Sequence, residues 1–195
     1  MMERERRQVR AAPSKFQTRD DGGELYIEGY FAVFGSIYEL WPGGTESIAP
    51  GAFAETLGND VRALVDHDTR LVLGRSKAGT LELREDAHGL WGKVRINPND
   101  SDAMNLYSRV QRGDVDQCSF GFDIVREDTE IHEDGSVHWT LLEVELYEVS
   151  VVTFPAYEET SVAARKRDYE EIERRRAEAW RAEMTEKLKG ERHGT

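Results

Sequence analysis

The stretch VDQCSFGFDIVREDTEIHEDGSVHWTLLEVELYEVSVVTF, residues 115–154, contains two runs rich in aromatic and β-branched residues. Such runs predict β-strands, and the acidic segment DTEIHEDGS at 128–136 predicts the turn between them. Outward from this pair, residues 24–35, 61–67 and 71–75 read as further strands, and residues 79–86 and 89–96 as the two strands of a hairpin. Short helices are predicted near 51–57 and between Asp100 and Gly113. The chain therefore predicts an α+β, β-rich fold.

Three segments differ in composition. Residues 1–23 show no sustained periodicity and end in DDGG, which predicts a flexible leader. Residues 24–164 form the β-rich body, and residues 165–195 form a tail dominated by Glu, Arg, Ala and Lys. The tail predicts a solvated helix or a partly disordered segment, although its thin apolar seam also suits a docking or coiled-coil role.

Composition excludes several classes of function. The 195 residues carry a formal net charge of -12, which argues against a protein that binds nucleic acid through its phosphates. The single cysteine excludes an internal disulfide framework and indicates a reducing compartment. No apolar run approaches the roughly 18 residues that a membrane span needs, and the charged N-terminus lacks a signal peptide. We expect a soluble intracellular protein.

Cys118 and Ser119 are adjacent, and either side chain is a potential nucleophile. In an extended segment their side chains point to opposite faces, so Cys118 shares a face with Phe120 and Phe122. That face is expected to be the packed one. Ser119 shares the other face with Gly121, which leaves room for a substrate, so we predict an exposed Ser119 nucleophile. The alternatives are a strand serine that only faces solvent, or Cys118 as the nucleophile.

Among the five histidines, His67 stands out because it ends an apolar strand, RALVDHD, between Asp66 and Asp68. A histidine there suits a general base, although a lone histidine is often structural. The residues do not favour a metal site, since no second His or Cys lies at ligand spacing, and we expect no metal or organic cofactor. His138, at a strand start, is ambiguous.

Glu148 lies in an otherwise apolar strand, LYEVSVVTF. A carboxylate in such a strand either reaches water at a sheet edge or is paired with a cationic or protic group. An imidazole is a suitable partner, because a carboxylate can fix its tautomer and stabilise its charged form. Glu143 and Glu145 are rival carboxylates on the more solvated part of the strand.

These residues belong to an ordered set of blocks that together resemble the bacteriophage prohead proteases. This family of capsid-maturation serine peptidases is related in fold to herpesvirus assemblin. The resemblance covers residues 25 to 164, about two-thirds of the chain. The blocks, in chain order, are GYFAVFG, IAPGAF, ALVDHD with LGR, LELREDAHGLWGKVRI, CSFGF and LYEVSVVTFPAY.

The resemblance implies a closed or nearly closed β-barrel surrounded by helices, followed by the charged helical tail. It also implies catalytic roles for His67 as general base and Ser119 as nucleophile. The herpesvirus relatives use a second histidine on a later strand, where this chain offers Glu148. We therefore expect Glu148 to orient His67, with His138 and Asp116 as alternatives.

The implied function is a serine endopeptidase of capsid maturation. Its expected substrates are the scaffold protein or the scaffold-like segment of the major capsid protein, inside the prohead in the host cytoplasm, and the protease itself. The same partners are expected to bind the tail, and a second copy of the chain, in a homo-oligomer, is the other candidate partner. The alternative is a non-catalytic procapsid assembly factor or scaffold-binding factor on the same fold, which would not need His67, Ser119 and Glu148 together.

Overall fold

The computed structural model describes residues 8–13, 16–154 and 159–192. The chain divides into two compact units, Met1–Glu158 and Glu159–Thr195. Within the described residues, the first unit contains every strand and one α-helix, α1 (Ser101–Arg112), whereas the second is one helix, α2 (Glu159–Arg192). The strands are, in chain order, β1 (Gln8–Pro13), β2 (Gln17–Asp21), β3 (Glu24–Val33), β4 (Tyr38–Trp41), β5 (Gly44–Ile48), β6 (Arg62–Val65), β7 (Asp68–Arg75), β8 (Leu81–Glu85), β9 (Gly89–Ile96), β10 (Gln117–Ile131) and β11 (Val137–Val152).

The long antiparallel pair β10–β11 is the centre of the larger sheet. On one side, β1 pairs antiparallel with β10. On the other side, β11 pairs in parallel first with β5 and then with β6, while β4 and β7 lie beyond those two strands. The second sheet is antiparallel, in the order β2-β3-β9-β8. One strand, β11, therefore contacts segments that lie far apart in the sequence.

The two sheets share one apolar core. Alternation along β10 turns Cys118, Phe120 and Phe122 into this core, and all three are fully buried. Ile27 and Phe31 of β3 are fully buried in the same cluster. The side of β10 that carries Ser119 is thereby turned away from those core side chains, as the strand periodicity predicted.

The chain is β-rich, but the prediction of a closed or nearly closed barrel surrounded by helices is wrong. Among the described residues the strands form two separate sheets, and the edge strands of neither sheet pair with each other. The one α-helix of the first unit, α1, does not surround a barrel. Alternation shows which face of a strand is buried, whereas closure depends on pairing between edge strands that no local pattern specifies.

Several local predictions can be compared with the elements. The helix α1 is confirmed: Asp100 accepts hydrogen bonds from the backbone N–H groups of Asp102 and Ala103, and Gly113 ends the helix at φ 84°. The helix predicted at 51–57 is reduced to a 3-10 turn, Ala54–Thr56.

The predicted flexible leader contains two strands, β1 and β2. Residues 1–7 and 14–15 of that leader lie outside the described residues. Both strands gain their order by pairing, β1 with β10 and β2 with β3. Their own sequence carries little apolar signal, so composition alone did not indicate them.

The second unit is the helix α2, and the boundary predicted between residues 164 and 165 falls inside it. On the exposed surface of α2, residues one helical turn apart form ion pairs, such as Arg176 with Glu173 and Lys187 with Glu183. Trp180 and Met184 are exposed four residues apart. A docking role for this helix stays a prediction. None of the helices in the described residues is long and apolar enough to cross a membrane.

Candidate active site

The histidine singled out in the sequence lies in the tight turn between β6 and β7. Asp66 and His67 are its two central residues, with φ of 45° and 60°. Positive φ at both central residues is what the type I′ hairpin turn requires, and Asp and His tolerate this region better than most residues. Because β6 runs parallel to Glu148–Val151, the turn comes to lie beside this part of β11.

The two aspartates beside His67 fix the turn and do not contact its ring. The Asp66 carboxylate accepts a hydrogen bond from Thr153 N at 2.8 Å, and Asp66 N donates to Val151 O at 3.1 Å. The Asp68 carboxylate is bound by Arg70, whose guanidinium lowers the pKa of Asp68 to about 2. The DHD sequence is therefore a tight turn, held at Asp66 by hydrogen bonds to β11 and at Asp68 by the ion pair with Arg70.

The imidazole of His67 contacts a buried carboxylate. His67 Nδ1 and Glu148 Oε1 are 2.7 Å apart, and the second carboxylate oxygen accepts a hydrogen bond from Ser150 Oγ at 2.6 Å. Glu148 is only 4% exposed, so this carboxylate keeps both oxygens satisfied away from water. The other ring nitrogen, His67 Nε2, is buried and has no hydrogen-bond partner in the described part of the chain.

Gly121 lies opposite Glu148 in the β10–β11 register. A Cβ atom on Gly121 would lie 2.6 Å from Glu148 Oε1, closer than side-chain carbons approach other atoms. The sequence suggested that this glycine leaves room for a substrate. In the structure, the space that it leaves is filled by the carboxylate that binds His67.

Ser119 lies on the same face of the strand pair, directly opposite Ser150. It is fully buried, so the prediction of an exposed hydroxyl is wrong. The reason is β1, whose Ala11 pairs with Ser119, and whose Arg10 carbonyl accepts a hydrogen bond from Ser119 Oγ at 3.0 Å. Ser119 is therefore brought next to the residues that hold Glu148, but its hydroxyl is engaged by another strand.

Cys118 has a different environment. Its fully buried thiol lies against the carbonyl oxygens of Tyr30 and Phe31, at 3.4 and 3.3 Å from Sγ. These belong to β3 of the second sheet, across the core. As the strand alternation predicted, Cys118 points away from the face that carries Ser119.

The alternative orienting residues lie elsewhere. His138 has its Nδ1 2.8 Å from Thr45 Oγ1 and its Nε2 2.8 Å from Ser47 Oγ. It lies ten residues from Glu148 on the same strand, a separation of about 33 Å at the usual rise of a β-strand. The remaining candidates are on the surface side: Asp116 and Glu145 are exposed, and Glu143 contacts Arg126.

Sequence reasoning missed Ser150 as a partner of the carboxylate. Ser150 is two residues from Glu148 and so lies on its face, which was the available signal. Among the described residues, no group of three or more His, Cys, Asp and Glu side chains is arranged to hold a metal ion.

A buried carboxylate bound to one nitrogen of an imidazole, beside a serine, is the arrangement by which hydrolases activate a hydroxyl. Serine hydrolases are one class of protein that contains this carboxylate–imidazole pair. The sequence profile of the caudovirus prohead serine protease family matches residues 13–175. This chain belongs to that family.

Two known proteins are similar to this chain. The prohead protease of Enterobacteria phage HK97 is 33% identical over 150 residues, which cover 75% of this chain and 62% of that protein. The chain therefore matches under two-thirds of that relative's length. The solved structure of the bacteriophage T4 capsid assembly protease aligns with a TM-score of 0.51 at 11% identity, over 75% of this chain and 97% of that one. At this identity the second likeness shows a shared fold.

Proposed function

We propose that this chain is a serine endopeptidase of capsid maturation. In this proposal Ser119 is the nucleophile, His67 the general base and Glu148 the residue that orients His67. Family membership supports the reaction class. The observation that carries the assignment of residues is the 2.7 Å contact between His67 Nδ1 and Glu148 Oε1. Ser119 is the register partner of Ser150, whose hydroxyl binds the same carboxylate.

The carboxylate acts on the imidazole in two ways. By accepting from Nδ1–H, Glu148 leaves Nε2 unprotonated and able to take a proton. When His67 becomes charged, the adjacent carboxylate stabilises the imidazolium in a buried setting where Coulomb attraction is strong. Ser150 holds the second carboxylate oxygen, which limits rotation of the Glu148 side chain.

In the proposed reaction, these side chains act in turn. Ser119 Oγ turns from the Arg10 carbonyl toward His67 Nε2, gives up its proton there and attacks the carbonyl carbon of the substrate. His67 then protonates the leaving amine, so that the C–N bond breaks and an ester forms at Ser119. Water, deprotonated by His67, hydrolyses the ester and regenerates the hydroxyl. Each step uses side chains and water only.

The proposed substrates are the scaffold protein or the scaffold-like segment of the major capsid protein, together with the protease chain itself. The relatives support this setting, since one is a prohead protease and the other a capsid assembly protease. Cleavage would then take place inside the immature capsid, and the capsid and scaffold proteins are the proposed partners.

The test is to produce the chain with its capsid partner proteins and to follow their intact masses over time. Ser119→Ala and His67→Ala are each expected to abolish processing of the partner and of the protease. The matched controls Ser108→Ala and His88→Ala, both at exposed positions, are expected to process normally.

Circular dichroism and thermal unfolding of each variant show that it is folded. Processing that continues in both folded site variants would contradict the assignment. Processing that never occurs, even in the parent chain, would favour the non-catalytic assembly factor.

A further inference from the structure

Strand β1 lies along the edge of β10 as an added peptide would. It pairs antiparallel over its whole length, from Gln8 opposite Phe122 to Pro13 opposite Gln117. Proteins commonly bind extended peptides in this way, with backbone hydrogen bonds supplying affinity and pockets for alternate side chains supplying specificity. The edge of β10 that β1 covers is therefore the surface on which a substrate strand can bind beside Ser119.

Within β1, one carbonyl lies at the proposed nucleophile. Ser119 Oγ is 3.0 Å from the carbonyl oxygen of Arg10, while the next residue, Ala11, is the register partner of Ser119. A peptide bound in this register presents the carbonyl of its Arg10 equivalent to the hydroxyl. The side chain of that residue then occupies the position nearest the reacting bond.

The Arg10 side chain lies in a buried pocket lined by Glu46 and Phe122. Its Nε and Nη2 donate to the two oxygens of Glu46 at 2.5 and 3.0 Å, and its guanidinium lies 5.7 Å from the ring centre of Phe122. Nη1 donates to the carbonyl of Val9 at 2.8 Å. A two-pronged contact of this kind matches the planar guanidinium to a carboxylate. Only 5% of Arg10 is exposed.

Glu46 itself is fully buried in β5. Removing a carboxylate from water is costly, and an apolar pair of similar volume would stabilise the fold at least as well. Arg10, which pairs with this charge, comes from an edge strand that covers Ser119. A peptide that replaces β1 and carries a cation at this position restores the ion pair that Arg10 makes with Glu46.

We propose that Glu46 and Phe122 form a specificity pocket for an arginine or lysine side chain of the substrate. The basic residue is the one whose carbonyl faces Ser119, so cleavage follows it, and β1 occupies the pocket as a substrate-like strand until it is displaced. This inference rests on the proposed protease function, because it assigns the substrate class of that same site.

The test uses full-length protein and a mixture of peptides made by digesting a bacterial proteome at acidic residues. Peptide masses after incubation reveal the residues that flank each cleaved bond. Ser119-dependent cleavage is expected to follow Arg or Lys. The Glu46→Gln variant is expected to lose this preference by about 10²-fold, because the bound cation then lacks its buried partner. Glu39→Gln, an exposed glutamate on neighbouring β4, is the matched control and keeps the preference.

A second variant tests the side chain that fills the pocket separately from the pocket itself. Arg10→Gln leaves Glu46 and Phe122 unchanged but removes the cation of β1, so cleavage of the mixture is expected to rise several-fold with the same preference. Arg19→Gln, exposed on β2, is its control. This variant also tests the specificity pocket if Glu46→Gln does not fold. If the ion pair between Arg10 and Glu46 only stabilises the fold, the rate of peptide cleavage does not rise in Arg10→Gln.

The outcomes distinguish the two proposals. Ser119-dependent cleavage without a preference for Arg or Lys, or a preference that survives in folded Glu46→Gln, would overturn the pocket and leave the protease intact. The pocket is also overturned when Arg10→Gln, shown by thermal unfolding to be folded, fails to increase cleavage. Absence of any Ser119-dependent cleavage would contradict the proposed function, and this inference with it.

Discussion

At the scale of single residues, the glycine opposite Glu148 determines whether the carboxylate can reach the imidazole. Three groups converge on that carboxylate: the ring of His67, the hydroxyl of Ser150 and the bare backbone of Gly121. His67 and Gly121 lie against Oε1 and Ser150 lies against Oε2, so a change at any of them moves the carboxylate. The site depends on this packing as much as on the chemistry of its members.

Gly121→Ala is expected to lower kcat by at least about 10²-fold while the protein stays folded. The added methyl would lie 2.6 Å from Glu148 Oε1, so the carboxylate has to leave His67 Nδ1. Loss of the orienting carboxylate costs hydrolases of this type several orders of magnitude in kcat. The measurement is the rate of partner processing, with folding checked by thermal unfolding.

Gly58→Ala is the matched control, because a Cβ there meets nothing within 4 Å. Equal rates for Gly121→Ala and Gly58→Ala, with both variants folded, would show that the Glu148 carboxylate is not needed at its present position.

Predictions for single residues were correct where the pattern of apolar and polar residues within one strand was sufficient. Glu148 was noticed because a carboxylate interrupts an apolar strand, and Cys118 was assigned to the core from alternation alone. The burial of Ser119 was not predictable, since the covering strand starts more than a hundred residues earlier. Glu46 carries the same signal as Glu148, a carboxylate in a strand, yet its partner Arg10 lies in a segment without apolar pattern.

At the scale of elements, the β6–β7 turn positions the imidazole. The turn combines two residues at positive φ with the hydrogen bonds between Asp66 and the Val151–Thr153 stretch. These bonds join the turn to the end of β11, the strand that also carries Glu148. The histidine and its carboxylate are therefore held by one hydrogen-bonded unit.

Asp66→Ala is expected to lower the free energy of unfolding by about 1–3 kcal/mol, because it removes the bonds to Thr153 and places alanine at positive φ. Activity is expected to fall as well, since His67 loses its fixed position. Urea unfolding and the rate of partner processing measure the two effects.

Asp66→Asn is the matched variant, because asparagine tolerates positive φ and its amide oxygen still accepts from Thr153 N. We expect it to retain most of the stability and activity. If the alanine variant is as stable and active as the asparagine variant, the turn does not position His67 as described.

Elements with local signals were predicted well. The helix with Asp100 at its start and Gly113 at its end, and the hairpin of β8 and β9, follow from short-range patterns. The strands β1 and β2 were not predicted, because their order comes from pairing with distant strands.

At the scale of the whole molecule, the pairing of strand edges determines which part of β10 is covered. A closed barrel would have had no free edge on β10, whereas the open sheet leaves an edge that β1 covers. The expected barrel and the observed pair of sheets differ in which strand edges pair. Edge pairing depends on strands that are far apart in the sequence, so no short pattern predicts it. In our proposal the same edge is where the substrate binds.

The most direct measurement is covalent trapping of the nucleophile. The full-length chain, mixed with its capsid partner, is treated with a fluorophosphonate, and the modified residue is located by peptide mass. Fluoride leaves, a bond forms between phosphorus and the attacking oxygen, and the proton passes to the base. We predict a single adduct on Ser119 that is lost in His67→Ala. An adduct on Cys118 or another residue, or labelling of Ser119 that does not depend on His67, would contradict the account.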